Sequence, residues 1–224
     1  ETARTAQADG RIIYMAKYKY VFFDLDGTIS NSYEGIARSL DATFRHFGVE
    51  VDKSLYPGYI GPPLSDTFRL YFPAEKVNEV VGWFRDNYVK GDIYRNPVYD
   101  GIPEVMAQLK ERGYVLCVAT CKKQEEAEML MRHFGIDKYL TYVSGLTYGV
   151  REQKAEILEY GMKQVGAERE NSVMVGDTIY DIQGAELAGV DCILCKWGFT
   201  DERALAKKVA ATADKPTDLL LILK

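Results

Sequence analysis

The sequence predicts an α/β fold, a doubly wound parallel sheet with a small helical insertion, and three observations carry that expectation. Short runs of large apolar residues recur along the chain, as at Val21-Phe22-Phe23 and Val115-Leu116-Cys117-Val118. Amphipathic stretches separate most of them, and Gly113, Gly135, Gly166 and Gly189 stand where those helices should stop. One stretch, 32–96, shows helical periodicity without a strand. Strand–helix alternation places helices on both faces of a parallel sheet and ligands beyond the strands' carboxyl ends.

In chain order, residues 1–14 precede Met15 and read as an upstream extension or a cloning remnant. The apolar cluster at Ile12 to Ala16 is too short for a signal-peptide core. Val21–Phe23 open the first strand, near 20–25, because an unbroken apolar run suits a strand buried on both sides. Ile36, Leu40, Phe44 and Phe47 then form a helical stripe. Pro57-Gly58 and Gly61-Pro62-Pro63 interrupt the chain, and Val77, Val80, Val81 and Phe84 form a second stripe. We read 32–96 as a cap domain, hinged near Ser30–Tyr33 and Asn96–Gly101, inserted into a Rossmann-like core made of 15–31 and 97–224. Further strands are expected near 115–120, 140–144, 172–176 and 191–196, with helices near 103–112, 123–134, 151–165 and 180–188.

Chemistry concentrates at the strand ends. Asp24 and Asp26 lie two apart, so an extended chain points both the same way. Gly27 permits a sharp exit, and Thr28 adds a hydroxyl. Alone, this segment equally suits two solvated carboxylates opening a turn. Downstream, Ser172–Gly176 repeats the pattern of apolar strand then glycine, followed by Asp177 and, four residues later, Asp181. A helix starting near Thr178 would set those two carboxylates about one turn apart on one side. Four carboxylates at two strand ends suit a hard cation such as Mg²⁺ better than zinc. Between them, Thr120 ends a strand and is followed by Cys121-Lys122, while Lys154 opens a helix. Hydroxyl, backbone N–H groups and ammonium are what a phosphoryl group requires, although Lys154 taken alone reads better as a solvated lysine on an amphipathic helix, and only its place in the series points to phosphate.

The ordered series DLDGT, VATCK, RxxK and VGDTIYD resembles the haloacid-dehalogenase-type (HAD) hydrolases, a superfamily rich in Mg²⁺-dependent phosphatases. Gly61-Pro62-Pro63-Leu64 and Trp197-Gly198-Phe199 are similar to the helical-cap branch of phosphoglycolate-phosphatase-like and bacterial 5'-nucleotidase-like enzymes. The resemblance implies Asp24 as nucleophile, forming an aspartyl-phosphate, and Asp26 as acid and base. It implies Mg²⁺ held by Asp24, Asp26 (through its backbone carbonyl), Asp177 and Asp181. It also implies phosphate held by Gly27, Thr120, Cys121, Lys122 and Lys154. Cys121 and Lys123 depart from the T-S-K-P that relatives often carry. The implied activity is hydrolysis of a small phosphomonoester, phosphoglycolate-like or nucleoside 5'-monophosphate-like. A sugar phosphomutase and a non-enzymatic phosphate-binding protein are the alternatives. Tyr59–Leu64 is either a contact to the leaving group or a stiff turn, and Tyr33, Arg69 and Arg95 are further candidates for contact.

Composition narrows the partners. A net charge of −5 without a basic stripe argues against nucleic acid. No run approaches the roughly 20 apolar residues that span a bilayer. Cys192 and Cys195 form a C-x-x-C, but on a strand they face opposite sides; with Cys117 and Cys121 they read as small buried residues in a reducing cytoplasm. His46 and His133 read as helix-terminal residues without a catalytic role. The expected partner is a small phosphorylated metabolite, and the expected state a monomer or homodimer.

Overall fold

The computed structural model describes residues 17–224 and, as backbone only, an antiparallel ribbon of β1 (Thr5–Ala8) and β2 (Arg11–Tyr14). The expectation that residues 1–14 form an added extension otherwise falls outside the described residues. Six further strands form one sheet: β3 (Tyr20–Phe23), β4 (Val115–Lys123), β5 (Tyr142–Leu146), β6 (Ser172–Gly176), β7 (Asp191–Cys195) and β8 (Ala211–Ala213). Their order is β5-β4-β3-β6-β7-β8, and every pairing is parallel. The two strands nearest the chemistry, β3 and β6, are therefore direct neighbours at the centre.

Side-chain alternation divides the interior in two. Val21 and Phe23 of β3 join one apolar cluster, while Phe22 between them joins the other. Helices α4 (Ile102–Glu111) and α5 (Gln124–His133) cover the first face through Met106, Leu109 and Leu130. Helices α6 (Lys154–Val165) and α7 (Ile179–Ala188) cover the second through Ile157, Leu158 and Ile182. Cys195 belongs to the first cluster and Cys192 to the second, as opposite sides of β7 require, and all four cysteines are free.

Between β3 and α4 the chain is helical: α1 (Tyr33–His46), α2 (Leu64–Arg69) and α3 (Ala74–Val89), with 3₁₀ turns at Lys53–Tyr59 and Asp92–Tyr94. Its interior is aromatic. The Phe44 ring lies 5.0 Å from Tyr71 and 5.8 Å from Phe68 in edge-to-face geometry, which is favourable beyond simple burial. These residues are continuous with the first sheet-face cluster.

Three details differ from the sequence expectation. β4 runs on to Lys123, three residues past Thr120, with a register shift against β5 between those two residues. α6 starts at Lys154, not at Arg151, because Gln153 caps it and Glu156 bonds back to the Gln153 N–H at 3.1 Å. β8 and the short helices α8 (Glu202–Leu205) and α9 (Leu219–Ile222) were not expected: elements of three or four residues are too short to show a period.

Candidate active site

Backbone pairing places the carboxylates. β3 ends at Phe23, and the Asp24 N–H still donates to the Val175 oxygen of β6 at 2.9 Å, so Asp24 leaves the sheet in register with its neighbour. Asp177 follows the last residue of β6. Asp181 sits in the first turn of α7, where its carboxylate accepts from the Thr178 N–H at 3.0 Å and the Thr178 hydroxyl at 2.8 Å. Carboxylate oxygens of Asp24, Asp177 and Asp181 all lie within 4.8 Å of one another, and all three side chains are buried. Lys154, at the start of α6, holds its Nζ 2.8 Å from Asp24 Oδ1 and 2.8 Å from Asp181 Oδ1.

Three buried carboxylates thus face one buried ammonium. Burial, opposed by Lys154 and reinforced by Asp181, pushes the Asp24 carboxyl up to about 6. Burial and then repulsion from Asp181 and Asp24 carry Asp177 well above its ordinary value. Burial works to lower Lys154, yet the combined attraction of Asp181 and Asp24 carries it well above its usual range. An all-oxygen donor set with more negative than positive charge, closed off from water, fits a hard divalent cation.

A close-packed loop fixes Asp177. The Phe199 N–H donates to its Oδ2 at 2.6 Å and the Thr28 hydroxyl to its Oδ1 at 3.0 Å. The Thr200 hydroxyl donates to the Asp177 carbonyl at 2.8 Å, and Trp197 Nε1 donates to the Thr28 carbonyl at 3.0 Å. Gly27 has φ +84°, and a Cβ on it would overlap the Asp177 carboxylate. A Cβ on Gly198 would overlap both that carboxylate and the Gly27 carbonyl oxygen. We expect Gly198→Ala to cost about 1–3 kcal/mol, by forcing those two backbone segments apart. Thermal unfolding measures the loss, and an unchanged midpoint refutes the close packing.

Asp26 is arranged differently. Lys122 Nζ lies 3.1 Å from its Oδ2 and donates to the Tyr88 hydroxyl of α3 at 3.2 Å, with the Tyr88 ring centroid at 4.8 Å. Lys122, expected to hold phosphate, is therefore placed against Asp26. The Thr120 Oγ1 accepts from the Lys122 N–H at 3.2 Å and is itself buried. Asp24, Asp26, Thr120, Cys121 and Lys122 open into one cavity of about 450 Å³. Gly27, Lys154, Asp177 and Asp181 stand outside that lining.

The opposite wall comes from the helical insertion. Residues of the Tyr59–Leu64 segment line the cavity, as does Arg69, which pairs with Asp66 at 2.7 Å. Of the other candidates, Tyr33 is not part of the lining, and Arg95 pairs instead with Glu34 at 3.1 Å. Arg85, Tyr88, Glu126 and Tyr148 also line the cavity, though the sequence singled none of them out. Arg85 and Tyr88 lie on a helix recognisable only by its apolar stripe. Phe199 acts through its backbone, which no side-chain pattern reveals.

Comparison with known proteins adds an independent line. A family profile described as haloacid dehalogenase-like hydrolase matches residues 21–195. The chain is 34% identical over 181 residues to the tyrosine-protein kinase PtkA of Mycobacterium tuberculosis, covering 80% of this chain and 62% of PtkA, less than two thirds of that relative's length. It is 34% identical over 193 residues to a 5'-nucleotidase of Pseudomonas aeruginosa, covering 84% of this chain and 87% of the relative. Among solved structures, a haloacid dehalogenase-like hydrolase from Streptococcus pneumoniae superposes with a TM-score of 0.88 at 26% identity, covering 93% of this chain and 99% of that one.

Proposed function

We propose, since the chain belongs to the haloacid dehalogenase-like hydrolase family, that it hydrolyses a small-molecule phosphomonoester in the presence of Mg²⁺. The observation that carries this reading is one buried constellation. Asp24 is paired with Lys154 beside Asp177 and Asp181, and it opens with Asp26 and Thr120 into a single cavity.

Asp24 attacks phosphorus in line; an Oδ–P bond forms as the bond from phosphorus to the leaving oxygen breaks. Asp26 gives a proton to that oxygen, then accepts one from the water that cleaves the aspartyl-phosphate and releases inorganic phosphate. The Thr120 hydroxyl, which accepts from the Lys122 N–H and keeps its own proton to donate, would bind a transferring oxygen together with the Cys121 backbone N–H. The Lys122 ammonium keeps the Asp26 carboxyl turned into the cavity, at 3.1 Å. Lys154 orients Asp24 and offsets the surrounding negative charge. Asp24, Asp177 and Asp181, with the Asp26 backbone carbonyl, would hold Mg²⁺, whose contribution when bound is neutralisation of charge at the phosphoryl group. In this reading 32–96 is a cap that closes over a core of 15–31 and 97–224, excluding water from the cavity.

Phosphate release across nucleoside 5'-monophosphates, phosphoglycolate, sugar phosphates and pyrophosphate, with Mg²⁺ and with EDTA, tests the proposal. We expect stoichiometric phosphate that EDTA suppresses and added Mg²⁺ restores. An isomerised sugar phosphate without phosphate release would replace the hydrolase by a mutase, and label passing from ATP to a tyrosine peptide would replace it by a kinase.

A further inference from the structure

Tyr88 lies near the C-terminal end of α3, in the helical insertion, yet its hydroxyl reaches across to the carboxylates of the sheet. Its oxygen accepts from Lys122 Nζ at 3.2 Å, and the same Nζ stands 3.1 Å from Asp26 Oδ2. Tyr88 and Lys122 are both buried, so water does little to weaken either contact. The Tyr88 ring stacks on Phe84 with centroids 5.6 Å apart, and Lys122 Nζ lies over it at 4.8 Å. Burial, partly offset by the Lys122 charge, pushes the Tyr88 hydroxyl up to about 12, so at neutral pH it is an uncharged acceptor.

Two observations give this contact a consequence beyond packing. Asp26 Oδ1 is buried without a hydrogen-bond partner among the described residues, so the carboxyl is held at Oδ2, by Lys122. Lys122 is in turn attracted by a second carboxylate, Glu126, which lines the same cavity. A point charge on a flexible stem, drawn towards two carboxylates, needs a directional partner to fix where it rests. The Tyr88 hydroxyl is that partner. We propose that Tyr88 is a positioning residue: through Lys122 it aligns the Asp26 carboxyl for proton transfer to the leaving oxygen. This role rests on the phosphatase reading above and adds to it a residue of the insertion that acts on the acid at one remove.

Tyr88→Phe tests the role, because it keeps the ring and removes only the hydroxyl. Two substrates are compared: p-nitrophenyl phosphate, whose phenolate departs without an acid, and the alkyl phosphate that the wild-type protein hydrolyses fastest. We expect kcat/KM for the alkyl ester to fall about tenfold or more, the scale of a hydrogen bond to a charged group, and that for the nitrophenyl ester to change by less than about twofold. In a Lys122→Met background Tyr88→Phe should cost nothing further, since the hydroxyl acts through the ammonium. A hydroxyl that touches the substrate directly, or a residue that merely docks α3, keeps its full effect in that background. That result, or equal losses for the two esters, overturns the proposal. The side-chain carboxyl carbon signal of Asp26 in isotope-labelled protein, assigned through its loss in Asp26→Asn, supplies a readout independent of turnover. It should move in Tyr88→Phe and in Lys122→Met, and no further when the two are combined. Such a pattern upholds the positioning of Asp26 by Tyr88 even if no ester is hydrolysed and the phosphatase reading falls. A signal that Tyr88→Phe leaves in place removes it.

Discussion

Replacing Asp24 with Asn abolishes phosphate release and leaves the protein at least as stable as before. The amide has the size of the carboxylate but cannot form the phosphoryl bond, and losing a residue that works as part of a unit typically costs about 10⁴-fold or more in turnover. Stability moves the other way because of the company Asp24 keeps. It is buried within reach of Asp177 and Asp181, and the three share a single ammonium. Its carboxyl is pushed up to about 6, so its charge is unwelcome in the folded protein without a cation. Asn removes one of three repelling charges, while Lys154 keeps its 2.8 Å contact with Asp181. Steady-state phosphate release and thermal unfolding in EDTA measure the two effects. An Asn variant that retains more than about a hundredth of the wild-type rate would remove Asp24 from the nucleophile's role, given how much such a residue supplies. With Mg²⁺ held as proposed, the stabilisation it confers should also shrink in this variant, because one of the proposed oxygen donors becomes neutral.

Much of this arrangement is legible in the chain, for local reasons. Asp177 and Asp181 can be paired from their spacing alone once Thr178 is seen as a helix start, and Thr178 does cap α7. The sheet follows from apolar runs that needed no knowledge of distant residues, and its doubly wound character from the alternation of those runs with helices. What escaped reading depends on contacts across long sequence separation. Lys122 stands beside Thr120 in the sequence, but its 3.1 Å ion pair is with Asp26, nearly a hundred residues earlier, and no local pattern announces that contact. Arg85 follows Phe84 in an apolar stripe, and nothing in that stripe says which neighbour projects into a cavity. Trp197-Gly198-Phe199 attracts notice as a motif, yet its work is done by an indole N–H, a missing Cβ and a backbone N–H. A backbone donor has no identity in the sequence.

Lys154→Met is expected to be the most destabilising single change at this site. The lysine stem packs tightly over Gly184, where a Cβ would overlap it, and methionine preserves a flexible chain of similar length there. The substitution therefore removes the charge while keeping most of the packing. Asp24 and Asp181 each lose a 2.8 Å ionic partner in a region closed to water. Breaking a buried pair from one side costs about 3–5 kcal/mol, because it leaves the other charge uncompensated. For a chain of this size that lowers the unfolding midpoint by on the order of 10 °C. The deficit should be largest in EDTA at neutral pH. Mg²⁺ held as proposed would reduce it by supplying positive charge to the same oxygens, so the midpoint gain from Mg²⁺ should be greater for Lys154→Met than for wild type. Acidification reduces it too, since Asp24 and Asp177 already hold their protons more tightly when folded than when unfolded. Turnover falls as well, because Asp24 loses the group that orients it. At Asp24, then, activity and stability separate, whereas at Lys154 they fall together. Scanning calorimetry of both variants with and without Mg²⁺ decides the matter: equal midpoints for Lys154→Met and wild type in EDTA would mean that the ammonium does not hold the carboxylates together.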